Sequence, residues 1–161
     1  MIKGSFNVRI MKKMFFIILF MHISMNTNVL FSQNFKELPE RVRDSLLIKI
    51  ADRALEKYGP EYNRGYLTPV VKNEGEFESG AHKGEVCYTV TYPYDKSKEL
   101  MERNFSARVV ILENSGNTIW ITFGNGYAYD VEKYEKMEKE GFKVKKMPFT
   151  TIKKPVGPPL F

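Results

Sequence analysis

The chain has 161 residues, with 25 Lys and Arg against 19 Asp and Glu and a formal charge of +6. Four of those cations, Lys3, Arg9, Lys12 and Lys13, lie in the first 32 residues beside no acid; the rest of the chain carries 21 basic against 19 acidic groups, which makes no electrostatic case for nucleic acid. Cys87 is the only cysteine and His82 the only histidine after His22, so an internal disulfide and a histidine-rich zinc site are both excluded.

Residues 11–33 read as a secretory signal. Lys12 and Lys13 give a basic start, and Met14 to Met25 form an apolar run of signal-core length, too short to span a bilayer. A polar break at Asn26 to Asn28 follows, and cleavage fits best after Ser32, with Gln33 as the new N-terminus. Met11 opens a complete signal by itself, so the ten residues before it read as an upstream extension. The expected organisation is therefore a signal with its extension over residues 1–32, an α+β domain over 33–126, and a short helix with a proline-rich tail over 127–161. The expected destination is periplasmic or extracellular, with no stable membrane span once the signal is removed.

The 3.6-residue spacing predicts a helix over residues 39–58. Val42, Leu46, Ile50 and Ala54 recur every four residues, and Leu47, Ala51, Leu55 and Tyr58 widen the stripe. Pro39 suits the first turn, and Gly59-Pro60 ends the element. Residues 66–72 are β-rich, with Pro69 arguing for an edge strand or a late start. Residues 73–84 read as a polar loop. Over 85–92 the pattern alternates, with Val86, Tyr88, Val90 and Tyr92 on one side and Cys87, Thr89 and Thr91 on the other. After a charged segment, residues 105–113 and 118–123 form a hairpin around Asn114 to Asn117. Asp130 would cap a short helix through Glu140, stopped by Gly141, and residues 145–161 read as an extended tail. The order predicts an α+β fold, with one long N-terminal helix packed on a curved four-stranded antiparallel sheet of cystatin-like or nuclear-transport-factor-like build.

The chemical repertoire is thin. His82 and Cys87, five residues apart, are the only conventional nucleophile arrangement, with no evident third orienting group. The competing readings are a loop histidine in solvent and a small apolar cysteine on a buried strand face. Glu74, Glu76 and Glu78 alternate before His82 and could offer oxygen ligands to a weak calcium or transition-metal site, but they form no dense ligand motif, and a polar edge or solvated loop is the better account. Gly124-Asn125-Gly126 lacks the strand-to-helix setting of a phosphate site and reads as a turn. Tyr62, Tyr66, Tyr92, Tyr94, Tyr127 and Tyr129 fall at element ends, where they either meet a partner or form the half-buried rim of a small sheet. Trp120 alternates against Ile119 and Ile121 and should face away from the helix, covered by the C-terminal segment or by a partner. Tyr94, Trp120, Tyr127 and Tyr129 are the candidate partner contacts.

Four segments carry a resemblance: Ala51 to Gly59 closing the helix, Thr68-Pro69-Val70-Val71 opening the sheet, Tyr88 to Pro93, and Val109 to Ile121 as strand, turn and strand. In that order, over roughly half of the chain after the signal, they resemble small immunity-type proteins of the nuclear-transport-factor-like fold. PepSY-like domains share a similar strand-turn-strand ending. The resemblance implies a non-catalytic protein that binds and neutralises another protein, with no cofactor. The alternative is a small exported thiol enzyme using Cys87 and His82.

Overall fold

The computed structural model of the chain describes residues 35–152. The expected signal, its cleavage point after Ser32 and residues 153–161 of the proline-containing end lie outside the described residues.

Helix α1 spans Glu40–Tyr58. No side chain caps it; instead the Pro39 carbonyl accepts from the N–H groups of Val42 and Arg43, both at 2.9 Å. At the other end the Gly59 N–H donates to the Leu55 carbonyl at 2.8 Å, and Pro60 stops propagation. Gly59 is extended (φ −166°), so its backbone needs no glycine. Its lack of a side chain does matter, because a Cβ here would collide with the Phe123 ring.

The buried line of α1 is Leu47, Ala51, Ala54, Leu55 and Tyr58. Leu46 and Ile50 are only half-buried on its flank, and Val42, expected in the stripe, is 48% exposed. The reason is angular. At about 100° per residue, Val42 lies about 140° around the helix from Leu47, while Ala51, Ala54 and Tyr58 fall within about 40° of it.

The sheet has five antiparallel strands in chain order, β1 Val70–Glu76, β2 Val86–Tyr92, β3 Ala107–Leu112, β4 Thr118–Phe123 and β5 Ala128–Asp130. The class is α+β, but the expected count of four strands was one short. The fifth lies beyond Gly126, where three residues pair with β4. β1 starts after Pro69, as an edge strand should, and continues through Asn73 to Glu76, a stretch whose polar composition predicts a loop. Polar residues are admissible there because an edge strand is wet, and a bulge between Asn73 and Gly75 (φ 81°) absorbs the misfit.

The register carries the core. Val90, Val109, Ile121 and Tyr129 line up across β2 to β5, and Tyr92, Ala107 and Phe123 form the next row. All seven are buried under α1 or beside its end. Helix α2, Val131–Lys139, begins as expected, with the Asp130 carboxylate accepting from the Lys133 N–H at 3.0 Å, and it is followed by Gly141 at φ 91°. The segment after it is extended but docked. Met147 is buried and donates its N–H to the Tyr58 carbonyl at 2.7 Å, and Ile152 donates to the Leu100 carbonyl at 2.7 Å. Among the described residues, no helix is long and apolar enough to cross a membrane.

Candidate functional site

Alternation along β4 sends Ile121 and Phe123 toward α1 and leaves Trp120 and Thr122 on the opposite face. The register then builds two rows on that open face. One runs Lys72, Thr89, Val110, Trp120 and Asp130; the other runs Val70, Thr91, Arg108, Thr122 and Ala128. Trp120 is 41% exposed and Val70 60%, so two large apolar side chains meet water on one face. Arg108 is a diagonal neighbour of Trp120 across the β3–β4 pair. Its Nε donates to Thr91 Oγ1 at 3.3 Å, its guanidinium lies over the Phe105 ring at 4.6 Å, and its charge acts on the Glu74 carboxylate without direct contact.

The C-terminal segment, one of two expected covers for Trp120, packs elsewhere within the described residues. The Tyr62 hydroxyl donates to the Pro148 carbonyl at 3.0 Å, the Tyr129 hydroxyl donates to the Lys145 carbonyl at 2.6 Å, and Phe149 lies against the Tyr62 ring with centroids 5.2 Å apart. The segment therefore closes the core beside the C-terminal end of α1.

The four expected contact residues divide. Trp120 and Tyr127 (65% exposed) are available, although Tyr127 stands in the β4–β5 turn, out of the Trp120 row. Tyr94 and Tyr129 are buried at 7% and 8% exposure and cannot present a contact surface. Tyr94 turns inward because its hydroxyl pins the following loop, donating to the Arg103 carbonyl and accepting from the Met101 N–H, both at 3.3 Å. Tyr129 turns inward by alternation along β5 and joins the Tyr58, Phe123 and Tyr134 rings, with centroids 4.6 to 5.9 Å apart. Tyr62 and Tyr92 are likewise buried, whereas Tyr66 is exposed.

The geometry does not assemble a thiol site. Cys87 is buried, and desolvation, assisted by the Glu74 charge, raises its thiol pKa, which disfavours the reactive thiolate. Both ring nitrogens of His82 face carboxylates, Nδ1 to Glu85 at 2.9 Å and Nε2 to Glu132 at 3.2 Å, which leaves none to serve as base to Cys87. Glu74 is held by Lys72 and by the Thr89 hydroxyl at 2.8 Å, and its pKa is lowered, first by the Lys72 hydrogen bond. Among the described residues, no group of His, Cys, Asp or Glu is disposed to hold a metal ion. Gly124-Asn125-Gly126 is a turn: Asn125 Oδ1 accepts from the Tyr127 N–H at 3.2 Å and Gly126 sits at φ 87°.

One feature escaped the sequence pattern. An open groove of about 590 Å³ runs between the start of α1 and the β1–β2 edge, with Lys36, Arg43, Glu76, Tyr88 and Glu113 in its wall. The Tyr88 hydroxyl donates to Glu113 at 3.0 Å, and Arg43 lies 5.2 Å above its ring. Burial first, and then Glu113, raise the phenol pKa. The groove mixes both signs of charge, and its parts come from positions 36 to 113, a separation that no local motif could reveal.

No family model, curated protein or solved structure matches this chain.

Proposed function

We propose that the chain is an exported, non-catalytic binding protein that occupies a partner protein, in the manner of an immunity protein or an inhibitor. The observation that carries this reading is Trp120, 41% exposed on a sheet face that the described part of the C-terminal segment does not cover. Exposed tryptophan on a regular sheet face is costly in water, and tryptophan and arginine are the residue types that most often anchor protein interfaces. Arg108, diagonal to Trp120, gives the partner a chemistry: an apolar recess for the indole with a hydrogen-bond acceptor beside it, next to a guanidinium whose charge already acts on Glu74. The buried thiol and the doubly engaged His82 weigh against Cys87 catalysis. Export rests on the signal pattern of residues 11–33.

Two measurements test the reading. Placing two arginines within residues 14–25 should leave an uncut precursor in the cytoplasm, and the exported form of the parent chain should begin near Gln33; an exported form still starting at Met11 would contradict a cleaved signal. In a pull-down, a partner retained by the parent chain should be lost by Trp120→Ala and weakened by Arg108→Gln. Equal retention by folded Trp120→Ala would refute this face as the contact.

A further inference from the structure

The β1–β2 connection, residues 77–85, is closed at its base by two backbone hydrogen bonds, Phe77 N–H to the Glu85 carbonyl at 3.0 Å and Gly84 N–H to the Phe77 carbonyl at 2.9 Å. At its far end His82 touches two carboxylates from different parts of the chain. Glu85 belongs to the same loop, whereas Glu132 lies 50 residues away in the first turn of α2. β2 and β5 are separated by two intervening strands, or about 14 Å at ordinary strand spacing. The loop therefore crosses the ends of β3 and β4 to reach α2, and the Glu132 contact is the polar tie at its far side.

We propose that His82 is a pH-operated clasp, which as an imidazolium ties the loop over 77–85 to α2 and as a neutral imidazole releases it. The chemistry follows from the two contacts. Ionised carboxylates only accept hydrogen bonds, and a neutral imidazole carries one N–H and one lone pair, so it satisfies one of the two and repels the other. Only the doubly protonated ring donates to both Glu85 and Glu132. Those two carboxylates are the charged groups facing the ring; the Phe77 ring, with its centroid 6.0 Å away, flanks it without charge. In keeping with this, the imidazole pKa is raised above its usual value, first by the Glu85 hydrogen bond and then, against partial desolvation, by Glu132. A raised folded-state pKa gives a stabilisation that is complete below the unfolded value of about 6.5 and is lost as pH rises through the higher folded value. The loop is thus held at pH values below the ordinary imidazole pKa and released as pH rises above the raised one. An interior of constant pH would make little use of such a device; an exported chain meets a wider range.

The test is a titration of the full chain by NMR, with the His82 ring signal separated from that of His22 by the His82→Gln variant. Amide exchange, expressed as protection relative to the intrinsic rate at each pH, is followed at Gly84 and Glu85. Protection at both should fall between about pH 5.5 and about pH 8.5, in step with the titration of the His82 ring. It should be independent of pH in His82→Gln, and Glu132→Gln should lower the His82 midpoint while shrinking the pH dependence. Flat protection in the parent chain would overturn the proposal, as would a His82 midpoint unmoved by Glu132→Gln. The parent titration decides the matter by itself if a variant fails to fold.

Discussion

Truncating Trp120 separates the part of its surface that the fold already covers from the part left for a partner. The indole is 41% exposed. Of a side-chain surface of roughly 250 Å², about 100 Å² is therefore open, and covering it is worth about 2.5 kcal/mol at ~25 cal/mol per Å². A partner that seats the indole fully should lose on the order of 70-fold in affinity when Trp120 becomes alanine. The roughly 150 Å² already covered sets a ceiling of about 4 kcal/mol on the stability lost in the same variant, and the loss should fall below it because alanine keeps some of that contact and solvent fills the gap. Urea unfolding measures the second quantity and a binding titration, under conditions where the variant is folded, measures the first. Trp120 is also the only tryptophan in the chain, so intrinsic fluorescence reports on this residue alone. Acrylamide should quench the free chain readily and the bound chain poorly. Affinity preserved within about twofold in folded Trp120→Ala, a change of only ~0.4 kcal/mol, would refute the anchor. So would a free-state emission already shielded from the quencher, because the face would then be covered without a partner.

Gly59→Ala should destabilise the fold by about 1–2 kcal/mol, because its Cβ would drive into the fully buried Phe123 ring while the backbone is free to accept it. Urea unfolding of Gly59→Ala in a Phe123→Leu background should recover most of that loss; strict additivity of the two changes would show that the collision is not the cause. Cys87 should be inert to a thiol-reactive disulfide reagent in the folded chain and react only on unfolding, and Cys87→Ala should leave partner binding unchanged. Rapid labelling of the native chain, or abolished function in Cys87→Ala with the fold intact, would revive a thiol mechanism.

How legible each feature was in the sequence follows from how local its cause is. The start and stop of α1, the hairpin around Asn114 to Asn117 and the Asp130 cap depend on residues a few positions apart, and each stands where the pattern put it. Period-two alternation also sets the parity of β4, which by itself points Trp120 away from α1. The side of α1 that is buried is a different matter. Val42 and Leu47 belong to one broad apolar arc, and only the position of the sheet selects the Leu47 side. Tyrosine is the least readable residue here, because its ring suits a core and its hydroxyl suits water. The hydroxyls of Tyr94 and Tyr129 settle inside by finding backbone carbonyls at Arg103 and Lys145, and the second of these acceptors is 16 residues away on a segment with no regular structure. The same segment explains why the site was only half visible. Had residues 145–152 folded back across the open face, Trp120 would have been one more core aromatic; because they close over Tyr62 and Tyr129 instead, the indole stays 41% exposed, uncovered by the described part of the C-terminal segment. A local pattern can therefore give the direction of a side chain, whereas its availability is decided by where the rest of the chain goes.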